Sequence, residues 1–239
     1  MQKTSQLKEA ETRAYRALVG QLCWLATHTR PDIAYEACEL SVSFQKATIS
    51  DLTRLNKLVE RVVREPLSLF FTRLHSLEHC KLVCYTDAAF ANLPNGGSQG
   101  GFVLFLVDDR GNRCPIFWQT RRLKRVVKST LAAETMALLE GAEAAIYILG
   151  MVNKVLGDNN ITITCITDNK SLCNALESSK QVEDKRLRID LATMEDYMKR
   201  SEIDKVCWVA GSDQLADVLT KKGVSTDKLR AALCRYNDG

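Results

Sequence analysis

The chain has 239 residues, 46% of them hydrophobic and 26% charged, with a formal net charge of +4 at pH 7. These proportions exclude a disordered or low-complexity protein and fit a globular one of one or two domains. No uninterrupted apolar run reaches the roughly 20 residues of a membrane helix. The opening MQKTSQLKEAETR is too polar for a secretory signal, and nine scattered cysteines without a C-x-x-C pair point to a reducing, intracellular setting, cytoplasmic or nuclear.

From Leu7 to Val63 the period is helical. Tyr15, Leu18, Val19, Leu22, Cys23 and Leu25 form one apolar stripe. Thr29-Arg30-Pro31-Asp32 interrupts it, because the residue before a proline is pushed out of helical geometry, and Pro31 suits the first turn of a second helix through Phe44. A third helix starts at Ser50-Asp51 and stops at Pro66, with a short strand expected over 67–71. The stretch from Arg73 to Cys80 is the best domain boundary, separating a small mainly helical segment, 1–76, from a second domain, 77–239.

Beyond the boundary the period becomes that of strands. Lys81–Thr86, Gly100–Val107 and Arg113–Trp118 read as a meander, the last two joined by a turn at Asp109-Arg110-Gly111-Asn112. Asp108-Asp109 is read as part of that turn. A long Ala-, Leu- and Glu-rich helix spans Thr130–Leu156 and ends at Gly157-Asp158-Asn159-Asn160. Then come a strand over Ile161–Thr167, helices over Ser171–Glu177 and Asp184–Arg200, and a strand over Ile203–Val209. Terminal helices follow over Asp213–Lys221 and Thr226–Tyr236. The fold class is α/β: a five-stranded mixed sheet flanked by helices. In it the first and fourth strands lie parallel and bring their last acids, Asp87 and Asp168, side by side.

Four acids stand out. Asp87 ends KLVCYTD, Asp168 ends CITD, Glu134 lies one turn into the long helix, and Asp217 sits in DQLADVLTK. Carboxylates meeting at one sheet edge repel until a proton or cation relieves them. An all-oxygen set selects hard cations, Mg²⁺ or Mn²⁺, and two such ions can stabilise the attacking and leaving oxygens of a phosphodiester displacement.

The order Asp, Glu, Asp, Asp on strand, helix, strand and helix resembles the ribonuclease H family. The wording is closer to the ribonuclease H of copia-type (Ty1/copia) retrotransposon polyproteins. Tyr85-Thr86-Asp87-Ala88, Ser129-Thr130-Leu131-Ala132-Ala133-Glu134, Thr167-Asp168-Asn169-Lys170-Ser171 and Asp213 to Lys221 each resemble a motif of that group in the right order. Tyr15 to Gly20 and Thr29 to Ile33 resemble the segment joining its reverse transcriptase to its ribonuclease H. The resemblance implies a ribonuclease H-like sheet and endonucleolytic cleavage of the RNA strand of an RNA–DNA hybrid with two Mg²⁺ or Mn²⁺ ions. Asp87, Glu134, Asp168 and Asp217 would be the catalytic metal ligands, with Glu134 also touching the RNA 2′-hydroxyl. It also implies a reverse transcriptase domain in the parent polyprotein. Ala89 and Phe90 stand where that group carries Asp and Trp. The missing second Asp, and Lys185 to Ala192 standing with two charges exchanged where that group carries K-H-I-D-I-R-Y-H, motivate a second reading, a decayed or host-adopted module that binds nucleic acid or a partner without turnover.

Arg121, Arg122, Lys124, Arg125 and Lys128 form a basic run before the long helix. Alone it reads equally well as a solvated loop; beside a carboxylate site it reads as a phosphate grip. Lys221 and Lys222 either touch a phosphate or are ordinary helix-end lysines. His75, His79, Cys80 and Cys84 fit no zinc spacing, SQGG at 98–101 is too sparse for a phosphate loop, and Trp118, Cys207 and Trp208 read as core.

Overall fold

In the computed structural model, strands β1 (Lys81–Leu93), β2 (Gly97–Val107), β3 (Arg113–Arg122), β4 (Thr162–Thr167) and β5 (Lys205–Trp208) form one sheet in the order β3-β2-β1-β4-β5. The first three pair antiparallel as a meander, whereas β1–β4 and β4–β5 are parallel. This is the expected five-stranded mixed sheet. The structure describes residues 5–93, 96–157, 160–178 and 182–234, so Asp158, Asn159 and Tyr236 of the predicted turn and last helix lie outside the described residues.

The chain divides into two compact units, Met1–Leu69 and Phe70–Gly239. In the first, α1 (Glu9–His28), a 3₁₀ turn at Pro31–Ile33, α2 (Ala34–Ser41) and α3 (Ile49–Arg64) bury Tyr15, Val19, Leu22, Leu40, Leu55 and Leu58. The Tyr15 hydroxyl donates to the Leu40 carbonyl, 2.8 Å. Thr48 caps α3 by accepting from the Asp51 amide, and the Asp51 carboxylate accepts from the Thr48 amide.

In the second unit the long helix α4 (Thr130–Leu156) lies on the sheet, followed by α5 (Lys170–Glu177), α6 (Lys185–Lys199) and α7 (Asp227–Leu233). Gly141 lets α4 approach β1 closely. A Cβ there would stand 2.6 Å from the Thr86 methyl and 2.8 Å from Cys84 Sγ. By length and composition alone, Thr130–Val155 could cross a membrane. Its scattered glutamates keep it from being an uninterrupted apolar run. In the fold it is the central helix of the core, with Ala133, Ala137, Leu138, Ala142 and Ala145 buried against the sheet cluster.

Several boundaries differ from expectation. All three meander strands are longer than predicted. β1 runs past Asp87 because its pairing with β2 continues through Ala88 and Ala89, then shifts register at a bulge around Ala91 (φ 52°). No strand forms over 67–71; the Phe70 amide donates instead to the Leu233 carbonyl at the end of α7. The helix expected over Asp213–Lys221 is an irregular segment with two 3₁₀ turns, Gly211–Asp213 and Asp217–Leu219. Side chains redirect its backbone: Gln214 Oε1 accepts from the Ala216 amide, while Gln214 Nε2 donates to the Thr86 carbonyl. The turn expected at 109–112 forms around Asp108. Against the upward push of desolvation, its carboxylate is held at about 2 by accepting from the Asn112 side-chain amide and from the backbone amides of His75, Asn112 and Arg110.

A candidate metal centre at the edge of β1 and β4

The site starts from register. Tyr85 of β1 stands opposite Ile166 of β4, so two residues further on Asp87 and Asp168 follow at matching places. Asp168 leaves β4 just before Asn169, whose side chain caps α5 by accepting from the Leu172 amide. Asp217 arrives from the irregular segment, which reaches the sheet because Gly101, the cross-strand partner of Asp87, has no side chain. A Cβ on Gly101 would stand 2.7 Å from the Leu219 Cβ. Thr120 Oγ1, donating to the Leu219 carbonyl, and Asn92 Nδ2, donating to the Thr220 carbonyl, hold that segment down.

The result is a group of carboxylate oxygens from Asp87, Asp168 and Asp217 that all lie within 4.8 Å of one another. Glu134, from the first turns of α4, completes the electrostatic set: its carboxyl is pushed up to about 9 by burial and then by the charges of Asp87 and Asp168. Glu134 is only 4% exposed, and its Oε2 has no hydrogen-bond partner. Burial raises Asp87 to about 6, although Lys221 and the Thr220 hydroxyl, which donates to Asp87 Oδ2, act the other way. Burial also raises Asp168, against the pull of Lys221.

One ammonium faces these acids. Lys221 Nζ lies 2.6 Å from Asp217 Oδ1 and 3.1 Å from Asp87 Oδ1. Burial opposes its charge, but Asp87 and Asp217 hold it well above an ordinary lysine. The helix-end or phosphate-touching lysine of the sequence reading is therefore turned inward. The missed signal is its spacing of four residues from Asp217, on a turn whose Lys221 amide donates to the Asp217 carbonyl. An all-oxygen donor set, an orphaned buried carboxylate oxygen and a cationic group already seated on two of the acids together fit a hard divalent ion.

The basic run splits in two. Arg121 and Arg122 extend β3 rather than sitting in a loop. Arg121 pairs with Glu140 of α4 (2.9 Å) and Arg125 with Asp190 of α6, whereas Arg122, Lys124 and Lys128 are exposed. Trp118 is buried as expected, but Trp208 is 50% exposed. Its indole N–H donates to the Asp168 carbonyl (2.9 Å) and its ring lies 6.0 Å from Lys170 Nζ. It is the last residue of β5, an edge strand of the sheet. Among the described residues, His75, His79, Cys80 and Cys84 form no metal group. His75 contacts Arg110 and Asp109 instead, and Cys84 is buried opposite Cys165.

No family model matches the chain. It is 25% identical over 225 residues to the retrovirus-related Pol polyprotein from transposon RE1 of Arabidopsis thaliana, covering 90% of this chain. It is 26% identical over 213 residues to the corresponding polyprotein from transposon RE2, covering 87% of this chain. In each case it spans 14% of the relative's length. Among solved structures, ribonuclease H1 of the halophilic archaeon Halobacterium salinarum aligns with 19% identity and a TM-score of 0.40, over 59% of this chain and 94% of that one. The foamy viral protease–reverse transcriptase in complex with RNA/DNA hybrid aligns with 12% identity and a TM-score of 0.44, over 74% of this chain and 26% of that one.

Proposed function

We propose that this chain, a homologue of the retrovirus-related Pol polyproteins of transposons RE1 and RE2, is their ribonuclease H portion and hydrolyses the RNA strand of RNA–DNA hybrids. The observation that carries the reading is the meeting of Asp87, Asp168 and Asp217, which are far apart in sequence, with Glu134 facing them from α4. In this reading residues 1–76 are the segment that follows a reverse transcriptase in an intracellular polyprotein.

Asp87, Glu134, Asp168 and Asp217 would hold Mg²⁺ or Mn²⁺. When bound, two such ions supply Lewis-acid stabilisation of the attacking and leaving oxygens of a phosphodiester displacement, leaving a 3′-hydroxyl and a 5′-phosphate. The chain's own part is preorganisation. β1 and β4 fix two carboxylates at one level, and the Gly101 gap admits Asp217. Glu134, in the first turns of α4, keeps a buried Oε2 without a hydrogen-bond partner and would meet the RNA 2′-hydroxyl that DNA lacks. Arg122 at the end of β3, and Lys124 and Lys128 between β3 and α4, are exposed and would bind phosphates of the hybrid.

The experiment compares cleavage of a labelled RNA–DNA hybrid with Mg²⁺ by the natural chain and by Asp87→Asn. Product from the first alone supports the reading, and equal product from both removes it. The second reading, hybrid binding without turnover, rests on Ala89 and Phe90 standing where the copia-type group carries Asp and Trp. Tight binding without product under Mg²⁺ or Mn²⁺ would select it.

A further inference from the structure

Lys221 is an unusual occupant of a cluster read as a divalent-cation site. Its Nζ bridges Asp87 Oδ1 at 3.1 Å and Asp217 Oδ1 at 2.6 Å. Asp87 has no exposed side chain surface, so this contact replaces hydration that the buried carboxylate lacks. The field of the ammonium also reaches Glu134 and Asp168. Yet one positive charge does not neutralise four acids, and Glu134 Oε2 remains buried without a partner. The lysine side chain is itself 37% exposed on a flexible four-carbon stem, so it has a route out of the cluster.

We propose that Lys221 is a resident counter-ion that holds the Asp87–Asp217 pair together and that a divalent ion must displace from it, so that this side chain sets how much metal the site requires. The proposal rests on the nuclease reading above, because it takes the four acids to be metal ligands. Its physics is competition: an ammonium and a dication cannot both occupy the short space between the same two carboxylate oxygens. Removing the ammonium leaves acids whose mutual repulsion only protons or the metal can relieve.

The test is Mn²⁺ titration of the full chain by calorimetry, with thermal melting in chelator and in Mn²⁺, for the natural protein, Lys221→Met and Lys221→Gln. The expected result is a Kd for Mn²⁺ lower by about tenfold in Lys221→Met, the loss of one short-range charge competitor. The melting temperature without metal should be lower in that variant and its rise on adding Mn²⁺ larger. Lys221→Gln, which keeps a hydrogen-bond donor and guards against a Met variant that does not fold, should fall between. Equal or weaker Mn²⁺ binding in both variants overturns the proposal. If Asp87→Asn abolishes Mn²⁺ binding while the Lys221 variants leave it unchanged, the metal reading survives and the counter-ion proposal fails. If no form of the chain binds Mn²⁺, both fall.

Discussion

Two ionic clusters among the described residues are built to opposite ends. In the helical unit, Arg30 Nε and Nη2 donate to the two oxygens of Asp32 at 2.8 and 2.9 Å, with the side chains 7% and 3% exposed. Arg30 also donates to the Val62 carbonyl, so the pair ties the 3₁₀ turn to α3 with a guanidinium set against a carboxylate. At the edge of β1 and β4, four carboxylates face one ammonium and one carboxylate oxygen has no partner. A matched buried pair serves the fold, whereas a mismatched one stores unfavourable charge that a ligand relieves. Local burial alone does not separate these cases; the balance of charge does.

The largest break in this contrast comes from Asp32→Ala. It leaves the Arg30 guanidinium buried without its carboxylate, and breaking such a pair costs about 3–5 kcal/mol. Hydrogen exchange of the α1 amides should show that loss, and a cost below about 1 kcal/mol would erase the distinction drawn between the clusters. Next is Gly141→Ala. The added methyl would meet Thr86 at 2.6 Å and Cys84 at 2.8 Å, directly under the strand that carries Asp87. Overpacking of this kind costs about 1–3 kcal/mol in chemical denaturation and should also shift the Glu134 turn relative to β1.

The second cluster should make stability depend on pH through its raised acids. Glu134 loses its proton near 4.5 in the unfolded chain but is held up to about 9 in the fold. Between those values the folded state keeps a proton that the unfolded state has released, so the stability of the metal-free protein falls as pH rises through the window. Asp87, raised to about 6, adds the same sign only over the lower part of it. Glu134→Gln removes the carboxyl, so melting curves in chelator between about pH 6 and pH 9 should flatten for this variant and slope downward for the natural chain. A slope unchanged by the substitution would mean that Glu134 does not carry the stored charge.

Much of this was legible in the primary structure because it rests on periodicity. The change from helical to alternating pattern near Cys80 and the long apolar face of α4 locate the layers. The parallel relation of β1 and β4 follows from the connection through α4, and with it the level placement of Asp87 and Asp168. What escaped depends on contacts between distant segments. DQLADVLTK has the composition of a helix start, and only the docking of Leu219 on Gly101 and of Gln214 on the Thr86 carbonyl makes it a 3₁₀ segment. Lys221 reads as a helix-end lysine until that turn aims it inward. Trp208 reads as core from its apolar ring, but the last residue of an edge strand has one side open to water. Arg121 and Arg125 look alike with Lys124 and Lys128 in a basic run, yet only acids on α4 and α6 reveal which of them are already engaged.

That division sets the smallest effects. Lys124 and Lys128 are exposed, so replacing either by alanine should change stability by no more than about 0.5 kcal/mol. Arg125→Ala removes the partner of Asp190, a carboxylate 11% exposed on α6, and should cost more than either lysine. Hybrid binding should rank them in reverse. Each exposed lysine that meets a phosphate releases counterions, so its loss should lower the slope of log affinity against log salt by about one and weaken binding equally for all sequences. Arg125, committed to Asp190, should leave that slope nearly unchanged. Affinity measured by anisotropy across a salt series in Ca²⁺, where cleavage is not required, separates the two groups. A slope that drops for Arg125→Ala but not for the lysines would move the nucleic-acid face from the exposed residues to the paired ones.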